Sequence, residues 1–367
     1  MSDNDRLQPY LPRLIRYWDE DAPGRLHRSI EASMVFVDVS GFTKMSERLA
    51  RHGNVGAEEV TDVIDTTFGT LLPEAYAYGA NLLKFGGDAL LLMFSGQGHA
   101  ARAAAAAHAM RAKLRDVGTF QTTAGKVSLR MSVGAHTGQF DFFLVGGSHR
   151  ELIVAGPAAT RTVEMEAAAN ANQILISPEM AAMLPPSVLG AEVGQGRLLR
   201  RPPQAGTSDF RSATSPPTSL EPFIPVALRP VLTAERVEPE HRPAAVAFLH
   251  YENLDRLIME QGAAEAASRL DALVRSVQAA ADDHEVTFLA TDIAPDGGKI
   301  ILTAGVPETR GNDEERLLLA LRTIVESAPG GLPVQIGVNR GAIFSGAVGP
   351  WYRRTYTVMG DVVNLAA

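Results

Sequence analysis

Two carboxylates carry the first chemical signal in this sequence. Asp38 closes the apolar run Met34-Val35-Phe36-Val37, and Gly41-Phe42-Thr43 follows it almost at once. Asp88 stands at the end of Lys84-Phe85-Gly86-Gly87-Asp88, ahead of the apolar Ala89-Leu90-Leu91-Leu92-Met93-Phe94. If these two strands are neighbours, both side chains leave the sheet at one edge. Paired carboxylates there make a hard-oxygen site suited to Mg²⁺ bound to a nucleotide phosphate. Two ions held in this way activate an attacking hydroxyl and neutralise a leaving group. Backbone N–H groups after Asp38, at a helix start near Phe42 and Thr43, favour anionic phosphates. Taken singly, each carboxylate has a plainer reading, Asp38 as a helix cap and Asp88 as a turn residue.

The elements that must position these groups occur twice. Met34–Asp38 has a counterpart in Ala245-Val246-Ala247-Phe248-Leu249-His250, and the Gly-Gly hairpin has one in Asp296-Gly297-Gly298-Lys299. Val133-Gly134-Ala135-His136-Thr137-Gly138 matches Ile336-Gly337-Val338-Asn339-Arg340-Gly341 at an offset of 203 residues, which also maps Gly146 onto Gly349. A fourth pair begins at Gly156 and Gly360. Four pairs in one order indicate a duplication. Strand-like runs (Leu82–Phe94, Val127–Val133, Ile300–Thr303, Val334–Val338) alternate with helix-like ones (Thr43–Arg51, Ala57–Leu72, Asn253–Ala281, Glu314–Ser327), which predicts an α/β sandwich, one sheet with helices on a face, twice over.

The bulk numbers set bounds. At 367 residues two domains of ordinary size are expected. The net charge of -8 disfavours a nucleic-acid partner, since phosphate binding needs clustered Lys and Arg. Cysteine is absent, which removes disulfides, thiolate metal sites and cysteine nucleophiles and suits a reducing cytosol. The acidic start Met1-Ser2-Asp3-Asn4-Asp5 is no signal peptide. The Ala-rich stretch 100–112 is too short to cross a membrane and reads as a helix, so a soluble, cytoplasmic protein is expected. Residues 201–243 carry nine prolines and read as a linker, whose Phe223, Ile224 and Val226 suggest docking on a domain.

The four segments together resemble those of the class III adenylyl and guanylyl cyclases. Phe36-Val37-Asp38-Val39-Ser40-Gly41-Phe42-Thr43 and Lys84–Leu90 are similar to the family's two metal-site segments, and Gly134-Ala135-His136-Thr137-Gly138 to its third strand. Tyr356-Thr357-Val358-Met359-Gly360-Asp361-Val362-Val363-Asn364-Leu365-Ala366-Ala367 resembles its most specific stretch. The resemblance covers about residues 30–185 and 244–367. It implies two ferredoxin-like cyclase domains paired pseudo-symmetrically within the chain, the second incomplete: an N-terminal segment (1–29), a metal-binding domain (30–200), the linker (201–243) and a C-terminally truncated base- and ribose-binding domain (244–367).

In residues, the resemblance implies Asp38, Val39 and Asp88 as holders of two Mg²⁺ or Mn²⁺ ions. Phe42 and Thr43 would meet phosphate, Thr357 the purine edge and Asn364 the ribose. ATP would be cyclised to cyclic AMP and pyrophosphate, with Asp38, Asp88 and Asn364 as the catalytic set. The base-reading lysine is assigned to Lys299, and a chain without cysteine lacks the usual guanine set. His250 stands where Asp38 would be in the second half, with Gly298 and Lys299 at the place of Asp88. Thr160 and Glu164 stand where the first half would carry the asparagine and arginine, so one competent and one degenerate site are expected. Lys84 is assigned either to neutralising Asp88 or to the degenerate site, where some relatives bind bicarbonate through a lysine and an arginine. The family also places an arginine four residues after Asn364, beyond Ala367, from which a longer chain with further C-terminal domains is expected. The competing reading is a cyclase-like module that senses ATP without chemistry. A diguanylate cyclase, suggested by Gly86-Gly87-Asp88, leaves the fourth segment unexplained, and neither P-loop nor Rossmann fingerprints occur.

Overall fold

The computed structural model describes residues 2–18, 22–207, 217, 219–234, 237–327 and 329–367. In the first half, β1 (His27–Ser40) leads into α1 (Phe42–Leu49) and α2 (Gly53–Tyr76). The hairpin β2 (Asn81–Gly86) and β3 (Ala89–Ser95) follows, then α3 (His99–Val117). After a small hairpin, Thr119–Thr122 with Gly125–Ser128, come β4 (Arg130–Val145), β5 (Glu151–Ala155), α4 (Pro157–Ala167) and β6 (Ile174–Ile176). Strands β7 (Leu189–Val193) and β8 (Gly196–Leu199) complete an eight-stranded sheet of order β2-β3-β1-β4-β6-β8-β7, with β5 on the far half of β4.

The second half repeats the plan with β9 (Glu240–Tyr251), α5 (Leu254–Gln261), α6 (Ala263–Asp283), β10 (Thr287–Ala294), β11 (Gly297–Ala304), α7 (Asp313–Ser327), β12 (Val334–Val348), β13 (Thr355–Met359) and α8 (Asp361–Ala366). Its five strands run β10-β11-β9-β12-β13. Register shows the duplication directly. Phe36 lies opposite Leu91 and Gly134, and Phe248 lies opposite Ile301 and Gly337.

Alternation along the strands builds two faces. In β1, Val35 and Val37 pack with Phe68 and Leu71 of α2 and Ala103 and Ala107 of α3. Alanine suits α3 because it forms helix readily and lets the helix sit close to the sheet. On the other face Met34, Leu91 and Phe140 share a core with Val246, Phe248 and Leu289 of the second half. A symmetric pair of ties fixes that pairing. Gly146 donates its N–H to Asp271 of α6 (2.8 Å), and Gly349 donates its N–H to Asp65 of α2 (2.6 Å). Both glycines hold positive φ, +117° and +104°, where a side chain is strained.

Three elements depart from the sequence expectations. The helix expected over 253–281 breaks at Gly262, whose φ of +86° ends α5 and starts α6. The strand expected over 127–133 is interrupted at Leu129, whose N–H donates to Gly118 O rather than to a ladder partner. The Pro-rich segment ends early, since β9 begins at Glu240 and runs through Pro243. Within that segment Ile224 is buried and Phe223 packs on the shared core, whereas Val226 is 42% exposed, so docking is made by two of the three expected residues. Residues 208–216, in the same segment, lie outside the described residues. Among the described residues, no helix is long and apolar enough to cross a membrane.

Candidate active site

Asp38 is placed by its two neighbours in the sheet, Ala89 of β3 and Ser132 of β4. Asp88 occupies the β2–β3 turn, which closes through Gly87 at φ +67°. A hydrogen bond from Val39 N to Asp88 O (3.1 Å) locks the turn against the end of β1 and brings the two carboxylates together. Immediately beyond, Gly41 at φ +115° turns the chain into α1 and leaves Phe42 buried against Phe68, with ring centroids 5.9 Å apart. The side chain of Thr43 lies outside the described residues.

The electrostatics fit a cation. Burial raises the Asp38 carboxyl. Burial, the charge of Asp38, and to a lesser degree Asp292 and Glu166, push Asp88 up to about 7. Two half-buried carboxylates, both raised by burial and one further by the other's charge, make a site a divalent ion would relieve. Among the described residues no group of three or more His, Cys, Asp or Glu side chains is arranged to hold a metal, so an ion here would take its remaining ligands from its substrate.

A cleft of about 880 Å³, counting its solvent-open mouth, runs from this edge into the second half. Phe42 and Asp88 of the first half line it together with Lys299, Thr357 and Asn364 of the second. Asp38 stands beside Asp88 without lining the cleft wall. Thr357 is set by β13, opposite Gly346. Gly360, at φ +135°, ends β13 and starts α8, on which Asn364 is exposed. The N–H of Asn364 donates to Gly360 O (3.2 Å). Lys299 lies opposite both Asp292 and His250, with its Nζ 5.8 Å from the Phe248 ring centroid.

Of the two places expected for Lys84, the one beside Asp88 is not taken. Its Nζ forms an ion pair with Glu151 (3.1 Å) and donates to Thr291 O (3.0 Å), so it is spent on these groups rather than on Asp88. Burial would raise Glu151, but Lys84, His149 and Thr291 overcome it and hold the carboxyl at about 2. Arg161 donates to Glu164 (3.1 Å) and to Gln195.

The symmetry-related edge is built differently. His250 sits in the register of Asp38, with its Nε2 3.2 Å from Ala367 O, and Gly298 takes the register of Asp88. The β10–β11 hairpin runs two ladder pairs further before an equally short two-residue turn, which carries Asp296, a carboxylate that the alignment of glycines did not pair with Asp88. Asp296 accepts from the N–H groups of Asn253 and Asp255 (3.2 Å each), capping α5, and its own N–H donates to Thr160 Oγ1 (2.8 Å). Protein contacts thus close this edge. Sequence reasoning also missed Glu166, held by Ser132 Oγ at 2.8 Å, and Asp292, a cleft-lining residue of β10. Both owe their places to tertiary packing.

Residues 26–195 match the adenylate and guanylate cyclase catalytic domain. Over 99% of its length the chain is 22% identical to human adenylate cyclase type 10, of which it covers 25%. The chain thus spans about a quarter of the length of the curated relatives it matches along its whole length. Over 36% of its length it is 35% identical to an uncharacterized protein of Mycobacterium tuberculosis, covering 26% of that protein. Among solved structures, a class III adenylyl cyclase-like ATP-binding protein from Pseudomonas aeruginosa superposes with a TM-score of 0.62, over 93% of this chain and 81% of that one, at 11% identity. That likeness is one of fold.

Proposed function

On the premise that this chain belongs to the class III nucleotide cyclases, we propose that it is an adenylate cyclase, joining the ribose 3′-hydroxyl of ATP to its own α-phosphate with release of pyrophosphate. One observation carries the reading. Asp88 of one half and Thr357, Asn364 and Lys299 of the other wall a single cleft, with Asp38 beside Asp88.

Asp38 and Asp88 fit Mg²⁺ or Mn²⁺, which when bound would lower the pKa of the 3′-hydroxyl and offset charge on the phosphates. The chain's own residues supply positioning. Asn364, one turn into α8, holds the ribose so that its 3′-oxygen faces the α-phosphate in line. The N–H groups at the start of α1, beside Phe42, receive phosphate oxygens. Thr357 and Lys299 meet the base, and the absence of cysteine argues for adenine over guanine. Metal-assisted charge stabilisation and positioning would supply most of the acceleration, as in other phosphoryl transfers.

The test is cyclic AMP formation by the chain with Mn²⁺ or Mg²⁺, beside Asp38→Ala and Asp88→Ala. Undiminished product in both variants refutes the carboxylate assignment, and faster turnover of GTP than ATP refutes the purine assignment. A second reading, ATP sensing without turnover, is favoured by the fold neighbour described as a cyclase-like ATP-binding protein. ATP binding with no pyrophosphate release would select it.

A further inference from the structure

A second cavity, about 700 Å³ counting its open mouth, lies where the two halves meet the N-terminal and Pro-rich segments. Phe85 of β2 and Leu289 of β10 line it together with Tyr10 and Ile15 of the first segment and Phe223 and Leu228 of the second. None of the residues assigned to metal or nucleotide does so.

Among the described residues four charged side chains line this cavity, Lys84, Arg150, Glu151 and Arg353. Lys84 and Glu151 pair with each other (3.1 Å) and cancel. That leaves Arg150 in the β4–β5 turn and Arg353 in the corresponding β12–β13 turn, so the duplication brings one arginine from each half to the same place. Among the described residues no carboxylate pairs with either. Arg353 donates to the carbonyls of Pro9 (3.1 Å), Arg354 (2.8 Å) and Leu83 (3.3 Å), and the Arg150 side chain to that of Leu144 (2.8 Å).

Arg353 is only 6% exposed, and burial lowers its pKa to about 10, which leaves it charged at neutral pH. A buried cation without a counter-charge is costly. The Nε of each arginine is also buried and has no acceptor, and such donors are rare in folded proteins. Nε and Nη2 form the edge on which a guanidinium takes an oxyanion as a fork. On Arg353 that edge makes only the long bond to Leu83.

We propose that this cavity binds a dianion of the phosphate class, with Arg150 and Arg353 as its two cations. Two guanidinium charges without carboxylates match a double negative charge, and the apolar Phe223 and Leu228 beside them suit a small organic group on the phosphate. The ligand is therefore free phosphate or a small phosphomonoester. Bound there, it would join both halves to the N-terminal segment that Arg353 already holds through Pro9. The proposal does not depend on the nucleotide reading of the other cleft.

The test is calorimetric titration of the whole chain, without metal or nucleotide, at about pH 8 and fixed ionic strength, with inorganic phosphate, phenyl phosphate and acetate. One phosphate or phenyl phosphate should bind per chain, and acetate at least about ten-fold more weakly. Tighter phenyl phosphate supports a monoester, and tighter phosphate supports the free ion. Arg150→Met should weaken binding about ten- to hundred-fold. Arg353→Lys, which keeps the charge and loses the fork, should weaken it about ten-fold. Arg150→Met alone decides the matter if Arg353→Lys does not fold, because the Arg150 side chain holds one carbonyl rather than three. Lys299→Ala, in the nucleotide cleft, should leave the affinity unchanged. Binding that survives Arg150→Met, acetate as tight as phosphate, loss of binding in Lys299→Ala, or no binding by the unaltered chain overturns the assignment.

Discussion

Replacing Lys84 with Met tests whether this lysine is structural. The Lys84 and Glu151 side chains are only 12% and 13% exposed, at an Nζ–Oε1 distance of 3.1 Å. Removing one partner of a buried ion pair strands the other and costs about 3–5 kcal/mol. Against the burial that would raise it, the Glu151 carboxyl is held at about 2 by Lys84 first and by His149 and Thr291 after it. A depressed folded-state value contributes stability that is present above pH 4.5 and lost as pH falls toward 2. Without Lys84, burial raises Glu151 instead, so the variant should lose stability as pH rises past 4.5. Urea unfolding at pH 3 and pH 7 separates the two. The Lys84→Met deficit should be about 3 kcal/mol at pH 7 and shrink at pH 3, and Lys84→Met with Glu151→Leu should recover most of it. A deficit below about 1 kcal/mol at pH 7, with an unchanged acid limb, refutes the reasoning.

Other outcomes follow from the same geometry. Asp88→Asn should lower cyclic AMP turnover by at least about a hundred-fold, measured at saturating Mn²⁺ and ATP. Because Asp88 is raised to about 7, the metal-free chain should lose stability as pH climbs from 4 through 7. Asp88→Asn should flatten that slope in thermal melts. Asp65→Ala breaks the tie to Gly349 N and the contact with Arg354 Nη2 at 3.8 Å, and should cost about 1–3 kcal/mol in urea unfolding. Thr357→Val should raise the ATP KM several-fold with a smaller effect on kcat, as expected of a group that binds rather than reacts.

Much of the architecture was legible because its signals are local. Glycines that need positive φ, at 41, 87 and 360, mark the turns that present Asp38, Asp88 and Asn364, and Gly360 has its counterpart in Gly156. The repeat also placed His250 in the register of Asp38, and the sheet reproduces that register. What the sequence hid depends on contacts far apart in the chain. Nothing near Lys84 announces Glu151 and Thr291 as its partners, 67 and 207 residues away. Asp292 sits in an apolar-looking strand, and its cleft position emerges only when β10 packs opposite the first half's hairpin. Asp296 escaped because the second hairpin extends two ladder pairs further before its turn, so aligning glycines misaligns carboxylates. The break at Gly262 is masked in the sequence by helix-favouring composition on either side.

The central claim is one nucleotide site made by both halves. Calorimetric titration with a non-cyclising ATP analogue and Mn²⁺ tests it most directly. One nucleotide should bind per chain, weakened about ten-fold or more by Asp88→Ala in the first half and by Asn364→Ala in the second. Two equivalent nucleotides per chain, or full affinity after either substitution, would contradict it.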